Sequence, residues 1–481
     1  MSSKLNGLSE IYTYFRKNTT PWYFVSPTSF NILGIDQWVH KFEYINYFDS
    51  FDGSHPRVVI PREHQPREFQ SMEEMVNYLL QHKEVIDHFK SRGGGGKILT
   101  VMFDDETEEI ANELGMEIAL PSNELRQRLD SKIETTRLAN EAGVDSAPNT
   151  MGRADSYESL MKLVNKAGLG NNLVIQTPYG DSGRTTFFIS SESDWDKYAE
   201  KMIDEDLKIM KCINHIPGTL EAVATRHGTL VGPMMTDITG FAELTPYKGG
   251  WCGNDVSTQL ISTNIRDKIQ SMASALGERL YKEGYRGVFC LDFLLDTDDD
   301  EVYLGEINPR ISGASPPTNL ITSKYGGVPL FLFHLLEFSD VDYEIDMQSI
   351  QSRWTDYDAW SQLVLKQTQD KVELITSAPQ SGIWRLNDNN EIEFVRQTID
   401  WHNVGDESEA YYMRVYGAGE YRYHGADMGI LVSRGRMQTD DRQLNDRAKT
   451  WATKIMAQFQ GVPPPPEAPA IPPDIDFRKM F

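Results

Sequence analysis

Cysteine is scarce in this chain, with only Cys212, Cys252 and Cys290 among 481 residues. Three widely spaced cysteines provide neither a disulfide framework nor a zinc site, so the sequence indicates a reducing, cytoplasmic setting. Long apolar runs are also missing, which argues against a membrane-spanning helix. The stretch from Met1 to Thr20 lacks the apolar core of a signal peptide.

Positive charge is in deficit. Lysine and arginine total 47 against 71 aspartates and glutamates, a formal net charge of −24. This excess of acid argues against nucleic acid or an anionic membrane as a partner. It does not exclude a nucleotide, because local cations and Mg²⁺ can reverse the field within a cleft. The length predicts two to four structural units.

The most informative segment is GVFCLDFLLDTDDDEVYLGEINPRISGASPPTN, residues 287–319. It predicts a β-hairpin whose strands, Val288–Leu295 and Glu301–Ile307, are joined by a polar turn. Asp292 and Glu306 can then face each other on adjacent strands. An ordinary hairpin with solvated acids is the alternative, but both acids interrupt apolar strands, where an unpaired charge is costly.

Two further polar residues follow Glu306 at intervals of two. The strand period places Asn308 and Arg310 on the same side of the backbone as Glu306. Carboxylate and amide oxygens suit a hard cation, and a guanidinium suits phosphate or a developing anion. The sequence therefore predicts a Mg²⁺–nucleotide site with Asp292, Glu306 and Asn308 as the metal ligands.

An acid on one strand and a Glu-x-Asn-x-Arg run on the next resembles the metal-binding end of the ATP-grasp superfamily. The likeness is to ligases of the biotin carboxylase and carbamoyl phosphate synthetase type, and it covers residues 126–326 best. It implies that the nucleotide is ATP and the ion Mg²⁺, with Mn²⁺ as an alternative. It also implies that Arg310 is catalytic and steadies an anionic intermediate.

The resemblance also implies a phosphate-binding lysine on the helix before a glycine loop. Lys132 occupies that place, although a lone lysine on a helix is usually a solvated surface residue. The loop TPYGDSGRTT, residues 177–186, resembles the flexible loop that covers the phosphates. Glycines allow backbone N–H groups to approach phosphate closely, although such a loop is more often a plain turn. The implied phosphate contacts in this loop are Gly180, Ser182, Gly183 and Arg184.

One position departs from the family pattern. The strand entering the loop normally carries a second phosphate-binding lysine, and this chain has Gln176 there. Glutamine keeps a hydrogen-bond donor but loses the positive charge. Either Arg184 or another cation compensates, or the site binds nucleotide more weakly than its relatives do.

The adenine and ribose contacts are implied more loosely. The segment Met210–Ile213 fits the hinge whose backbone pairs with adenine, through Lys211, Cys212 and Ile213. Glu221 corresponds to a ribose-binding acid but lies one residue late, and a solvent-facing strand residue is the alternative. Lys248, in the turn-rich loop ELTPYKGGWCGNDV, is a candidate phosphate contact or a plain surface residue.

The fold class that follows is α/β and α+β, built around an ATP-grasp fold. We expect a Rossmann-like pre-ATP-grasp domain over residues 1–124 and the ATP-grasp domain over 125–340, with a lid hairpin at about 150–210. A small α+β domain over 341–460 and a Pro-rich tail over 461–481 complete the chain. Periodicity predicts continuous helical segments at Ser71–Arg92 and Leu125–Gly143.

The leading functional hypothesis is a ligase. ATP phosphorylates a small-molecule carboxylate, and an amine displaces phosphate from the acyl phosphate to form an amide. A bicarbonate-using carboxylase is an alternative, although the chain has no biotinylation sequence. A protein that binds nucleotide or metabolite without turnover is another, motivated by Gln176. Carboxylase-like relatives are commonly dimers, which leaves a homodimer open.

Overall fold

The computed structural model describes residues 4–62, 69–180, 185–299 and 301–465. The described helices and strands fall into three consecutive regions of the chain. The N-terminal region contains β1 (Leu5–Asn6), α1 (Gly7–Lys17), β2 (Trp22–Ser26), β3 (Phe42–Asn46), β4 (Val58–Val59), α2 (Met72–Gln81), α3 (Lys83–Ser91), β5 (Gly96–Leu99), α4 (Asp105–Glu113) and β6 (Met116–Ile118).

The central region contains α5 (Asn123–Asp130), α6 (Lys132–Glu141), β7 (Asn149–Gly152), α7 (Tyr157–Ala167), β8 (Leu173–Gln176), β9 (Thr186–Ile189), α8 (Glu192–Tyr198), β10 (Leu207–Lys211), β11 (His215–Thr225), β12 (Gly228–Thr239), β13 (Trp251–Val256), α9 (Thr263–Lys282), β14 (Gly287–Asp296), β15 (Val302–Asn308), α10 (Ser315–Gly326) and α11 (Phe331–Glu337).

The C-terminal region contains β16 (Tyr343–Glu344), α12 (Met347–Gln351), β17 (Trp360–Lys366), β18 (Glu373–Ser377), β19 (Gly382–Leu386), β20 (Ile392–Arg396), β21 (Glu409–Arg414), β22 (Tyr421–Arg422), β23 (Asp427–Arg434), α13 (Asp446–Met456) and β24 (Gln460–Val462). Across the described residues, no helix combines the length and the apolar character needed to span a membrane.

The N-terminal region folds around a parallel sheet in the order β4-β3-β2-β5-β6. Its central strand, Trp22–Ser26, is buried at every position, as expected for a strand covered on both faces. The run Gly93–Gly96 has positive φ at each glycine and leads into β5. It is therefore a connector before a strand, and the Rossmann-like architecture expected from the sequence is present.

A smaller antiparallel sheet, the lid sheet, has the order β7-β10-β8-β9. Helices α7 and α8 close its apolar core, in which Leu160, Ile175, Trp195 and Ile209 are buried. The tight turn at Gly180 needs glycine, since its φ is +136° and a Cβ there would lie 2.2 Å from Thr185 Oγ1. The lid sheet has its own core, separate from that of the main body.

The largest sheet, the main sheet, has the order β15-β14-β11-β12-β13-β17-β23-β21-β19-β20 within the described residues. Its strands come from both the central and the C-terminal regions, which join where β13 pairs with β17. One apolar cluster runs beneath it and includes Phe24, Phe331 and Ile430 from the three regions. His334 fastens the N-terminal region to β14, since its Nδ1 accepts from Val288 N at 3.0 Å and its Nε2 bonds to Ala119 O at 2.9 Å.

Local predictions of element boundaries are wrong at three places. The predicted helix Leu125–Gly143 breaks at Ser131, whose extended backbone ends α5 and caps α6. The predicted helix Ser71–Arg92 breaks in the same way at His82. The tail predicted from residue 461 begins inside β24, which pairs with β18.

Candidate active site

The predicted hairpin forms from β14 and β15. Asp292 lies directly opposite Glu306, and Cys290 opposite Asn308. The register then jumps from Asp292–Glu306 to the next pair, Phe293 with Leu304, which leaves Gly305 as an extra residue. This β-bulge turns the Gly305 carbonyl out of the strand ladder and towards the lid sheet.

Asp292 accepts hydrogen bonds from the side chains of Thr219 and Asn308, and Cys290 Sγ lies 3.9 Å from its Oδ1. Its Oδ1 accepts from Thr219 Oγ1 at 2.8 Å, and its Oδ2 accepts from Asn308 Nδ2 at 3.1 Å. Burial, together with the negative charges of Glu306 and Asp237, raises the pKa of Asp292 well above its usual range. This crowding of carboxylates favours a bound cation, because a cation between them would relieve the repulsion.

The donor set fits a cation that shares its coordination with a ligand. Within the described ranges, no group of three or more His, Cys, Asp and Glu side chains is arranged to enclose a metal. Asp292 and Glu306 supply two carboxylates and Asn308 an amide oxygen. Mg²⁺ commonly uses one or two protein carboxylates and takes its other ligands from water and substrate phosphate. The protein thus supplies only part of the coordination shell and leaves positions for water and phosphate. An open site of this kind suits Mg²⁺ better than a closed site made of protein ligands alone would.

A row of polar side chains continues from this site across the main sheet, and we call it the cleft row. Thr219 Oγ1 also lies 3.2 Å from Asp237 Oδ2, whose Oδ1 accepts from Asn254 Nδ2 at 2.7 Å. Gln362 Nε2 in turn lies 3.2 Å from Asn254 Oδ1. The cleft row consists of Asn308, Asp292, Thr219, Asp237, Asn254 and Gln362.

The hydroxyl of Thr219 lies within hydrogen-bond distance of the carboxyls of both Asp292 and Asp237. A hydroxyl has one proton, so Thr219 can donate to only one of them. Burial raises the pKa of Asp237 to about 7, and burial together with neighbouring negative charges raises the pKa of Asp292 well above its usual range. Both shifts favour the protonated form of these carboxyls.

Arg310 approaches the row from the end of β15. Its Nη1 lies 2.5 Å from Asp130 Oδ1 at the end of α5, and its side chain is mostly buried. The following segment, Ile311–Ala314, is held from two other regions and is called the anchored loop. Asn31 Nδ2 donates to Ser312 O at 3.0 Å, and Gln362 Nε2 donates to Gly313 O at 2.6 Å. The guanidinium is thus fixed by its own ion pair and by the loop behind it.

Lys132 joins the lid sheet to β15, the strand that carries Glu306. It is the first residue of α6, where Ser131 ends the preceding helix. Its Nζ donates to Gly180 O at 2.6 Å and lies 3.3 Å from Glu306 Oε2. The structure therefore brings Lys132, Gly180 and Glu306 together.

The opposite wall of the cleft is the β8–β9 hairpin of the lid sheet. Gln176 Nε2 donates to Thr186 Oγ1 at 3.2 Å. Directly opposite Gln176, on β10, lies Lys208, whose Nζ donates to Gly305 O at 3.3 Å. Burial lowers the pKa of Lys208 to about 8, although the Glu306 charge opposes the shift. The predicted contacts Ser182, Gly183 and Arg184 lie outside the described residues.

The predicted hinge follows the end of β10. The backbone N–H of Lys211 donates to Pro148 O at 2.9 Å, and that of Cys212 donates to Asn172 O at 2.8 Å. Ile213 O accepts from the His215 ring at 3.0 Å. Two of the hinge N–H groups are thus committed to the lid sheet, and they could meet adenine only by exchanging these bonds.

Two other predicted contacts are placed in ways that the sequence did not predict. Glu221 is fully buried beneath the start of α10, where its Oε1 accepts from Ser315 Oγ. This placement does not fit the predicted ribose contact, because the Glu221 side chain exposes no oxygen to the cleft. Lys248 lies on an exposed loop next to Tyr247, whose ring faces His424. The structure does not bring Lys248 to the metal strand.

Sequence reasoning missed several residues of the cleft, namely Asp130, Lys208, Thr219, Asp237, Asn254 and Gln362. Lys208 in LKIM and Asp237 in MMTDI carry the signal that marked Asp292, a charge within an apolar strand. The importance of the others depends on strand pairing, which the local sequence does not reveal.

Comparisons with known proteins define the fold. The sequence matches no protein-family model and no curated protein. Solved structures resemble it over most of its length. Biotin carboxylase from Campylobacter jejuni, solved with β-γ-ATP, aligns with a TM-score of 0.60 at 13% identity, covering 92% of this chain and 93% of that one.

Two further solved structures support the same conclusion. Carboxyaminoimidazole ribonucleotide synthase from Aspergillus clavatus, complexed with ATP, aligns with a TM-score of 0.53 at 15% identity, covering 87% of this chain and 94% of that one. The biotin carboxylase domain of Hydrogenobacter thermophilus 2-oxoglutarate carboxylase, with MgADP, ADP and bicarbonate, gives 0.58 at 11%, covering 87% of each chain. The chain has the ATP-grasp fold, which confirms the architecture predicted from the sequence.

Proposed function

We propose that this protein is an ATP- and Mg²⁺-dependent ligase that activates a carboxylate as an acyl phosphate. An amine then attacks the acyl carbon, an amide forms, and ADP and phosphate are released. The observation that carries the proposal is the facing pair of walls. Asp292, Glu306 and Asn308 present oxygen donors on one side, and Lys132 on α6 connects Glu306 to Gly180, which follows β8 on the other side.

The residues of the cleft divide the work of phosphoryl transfer. Mg²⁺ held by Asp292, Glu306 and Asn308 would neutralise phosphate charge. Lys132 would bind phosphate, with its Glu306 and Gly180 contacts setting its position. Arg310, fixed by Asp130, would stabilise charge on the acyl intermediate. No nucleophilic side chain is required, because the carboxylate substrate attacks the terminal phosphorus itself.

Closure of the lid sheet would protect the intermediate. An acyl phosphate is hydrolysed if water reaches it, and a closed site excludes water and strengthens each charge contact. The Lys132 side chain contacts both Gly180, which follows β8, and Glu306 on β15. Movement of the lid sheet would therefore be felt at Glu306 through Lys132.

Bicarbonate is a second candidate for the acid. The structures similar in fold include one solved with bicarbonate and MgADP. Bicarbonate would be phosphorylated at oxygen in the same way, and an amine would then be carboxylated in place of being acylated. The two candidates share the nucleotide half of the site and differ only in the acid.

The test is nucleotide turnover with defined acids. The protein is incubated with ATP, MgCl₂ and hydroxylamine, with each of the common amino acids or with bicarbonate, and ADP, phosphate and hydroxamate are measured. A ligase gives ADP and a hydroxamate with at least one amino acid, since hydroxylamine traps acyl phosphates. ADP release that depends on bicarbonate alone favours the second candidate. Tight MgATP binding with no turnover in any mixture contradicts both and indicates a binding protein.

The metal assignment has a matched pair of variants. Glu306→Gln removes a predicted ligand and is expected to abolish Mg²⁺-dependent turnover while leaving the thermal unfolding transition in place. Glu301→Gln removes the same charge just before the same strand, where the exposed acid pairs with Lys268 at 3.0 Å. It should keep turnover near that of the unaltered protein. Equal activities for the two variants would refute Glu306 as a metal ligand.

A further inference from the structure

Lys208 is a buried ammonium with few partners. Its side chain lies on β10, an inner strand of the lid sheet, and the residue is 1% exposed. An ammonium has three donors, and the hydrogen bond it makes is to one neutral acceptor, Gly305 O, at 3.3 Å. In the part of the chain that the structure describes, no carboxylate lies within ion-pair distance of its Nζ. Burying such a charge is costly unless an anion joins it.

The surroundings of Lys208 place that anion in the cleft. Gly305 is the bulged residue immediately before Glu306, and Lys132 Nζ lies 3.3 Å from Glu306 Oε2. Two ammonium groups therefore reach the same bulge of β15 from different elements, α6 and β10. The carboxylate there serves Lys132, and it is also a predicted metal ligand. The positive charge of Lys208 is therefore available to a bound anion.

The register of the lid sheet relates Lys208 to position 176. The two residues lie directly opposite each other on antiparallel strands. Side chains at such a pair leave the sheet on the same face. Gln176 carries no charge, and the neighbouring strand, about 4.8 Å away, carries a charge on that same face. A lysine side chain is long and flexible enough to span such a shift.

We propose that Lys208 is the second phosphate-binding cation of this protein, supplied from β10 because β8 carries Gln176. This inference rests on the proposed ATP site. Lys208, on the strand next to β8, supplies the positive charge that position 176 lacks. Nucleotide binding then needs no compensation from the loop at 181–184.

The test is a charge exchange between the two opposed positions. Affinity for MgATP and for adenosine, which has no phosphate, is measured by calorimetry on the full chain. Lys208→Gln should weaken MgATP binding about 10- to 100-fold, the range for losing a charged hydrogen bond, and change adenosine binding little. Gln176→Lys combined with Lys208→Gln should recover MgATP affinity to within about threefold of the original. Lys162→Gln, on the exposed face of α7, controls for net charge.

The outcomes separate this inference from the proposed function. Failure of the unaltered protein to bind MgATP overturns the proposed function and the inference with it. Normal MgATP binding by Lys208→Gln overturns the inference alone, as does an equal loss for ATP and adenosine.

A stability measurement distinguishes a binding role from a structural one. If Lys208 waits for an anion, Lys208→Met should raise the thermal unfolding midpoint of the nucleotide-free protein, because an apolar side chain replaces a buried charge. A lowered midpoint would mean that the bond to Gly305 holds the fold, and it would count against the inference.

Discussion

At the scale of single residues, Glu221 is a buried acid whose charge the fold disfavours. Burial raises its pKa from 4.5 to about 8, and Ser315 offsets only part of the shift. Between these two pH values the folded protein holds a proton that the unfolded chain releases. The free energy of unfolding should therefore fall as pH rises across this window, by up to about 1.4 kcal/mol per pH unit.

Glu221→Gln removes that titration while keeping the size of the side chain. We expect the variant to gain stability relative to the original protein as pH rises from 5 to 8, measured by urea unfolding at several pH values. Glu301→Gln, at an exposed position, should leave the pH dependence as it was. Parallel curves for the Glu221 variant and the original protein would show that Glu221 is ionised in the folded state.

Residue patterns revealed the predicted metal ligands at one end of the cleft but not the other polar residues that line it. Asp292 and Glu306 stood out because charges inside apolar strands need a reason, and Asn308 stood out because it follows Glu306 at an interval of two. Lys208 and Asp237 are also charges inside apolar strands. Their roles can be inferred only when the residue opposite each of them is known. A register cannot be read from one strand, because it depends on a partner many residues away.

At the scale of elements, the join between β13 and β17 depends on Gly253. Its φ is +140°, and a Cβ there would lie 2.0 Å from Gln362 O on β17. Gly253→Ala should lower the free energy of unfolding by about 2–5 kcal/mol, through backbone strain and displacement of β17. Urea unfolding followed by tryptophan fluorescence measures this loss.

Gly249→Ala is the matched control for that experiment. This glycine also has positive φ, +74°, but a Cβ there would meet nothing within 4 Å. The control should lose only about 1–2 kcal/mol, the cost of the left-handed backbone. If the two variants lose the same amount, the close approach of β13 and β17 contributes nothing measurable.

The helix breaks show how element boundaries escaped periodicity. Ser131 and Glu134 carry the Ser-x-x-Glu spacing of a helix start, and Ser131 Oγ accepts from Glu134 N at 3.4 Å. An apolar period that continued across Ser131 outweighed this signal in the prediction. The break matters because it makes Lys132 the first residue of a helix, where it reaches both Gly180 and Glu306.

At the scale of the whole molecule, the main sheet makes the central and C-terminal regions depend on each other. A chain ended after Asp340 would lack β17 and expose the edge of β13, together with apolar residues such as Leu320 that face the shared core. We expect this fragment to unfold without a cooperative transition and to elute as aggregates in size-exclusion chromatography. Cooperative unfolding and MgATP binding by the fragment would contradict this dependence.

The sequence predicted the order of the regions but not the continuity between them. Local patterns predicted a small α+β domain over residues 341–460, whereas β17, β19, β20, β21 and β23 belong to the main sheet. The pairing of Gly253 with Leu363 joins residues more than a hundred positions apart, and nothing local specifies it. The boundaries at 124 and 340 remain proposals about the order of structure along the chain.

The anchored loop has a consequence for how the protein matures. Asn31, Gln362 and Ser315 come from three different regions, and all three bond to the short segment that follows Arg310. A newly made chain in which any one region is still unfolded lacks some of these hydrogen bonds. Completion of the tertiary structure and placement of the Arg310 side chain are therefore one event, and under the proposed function a half-assembled molecule would not consume nucleotide.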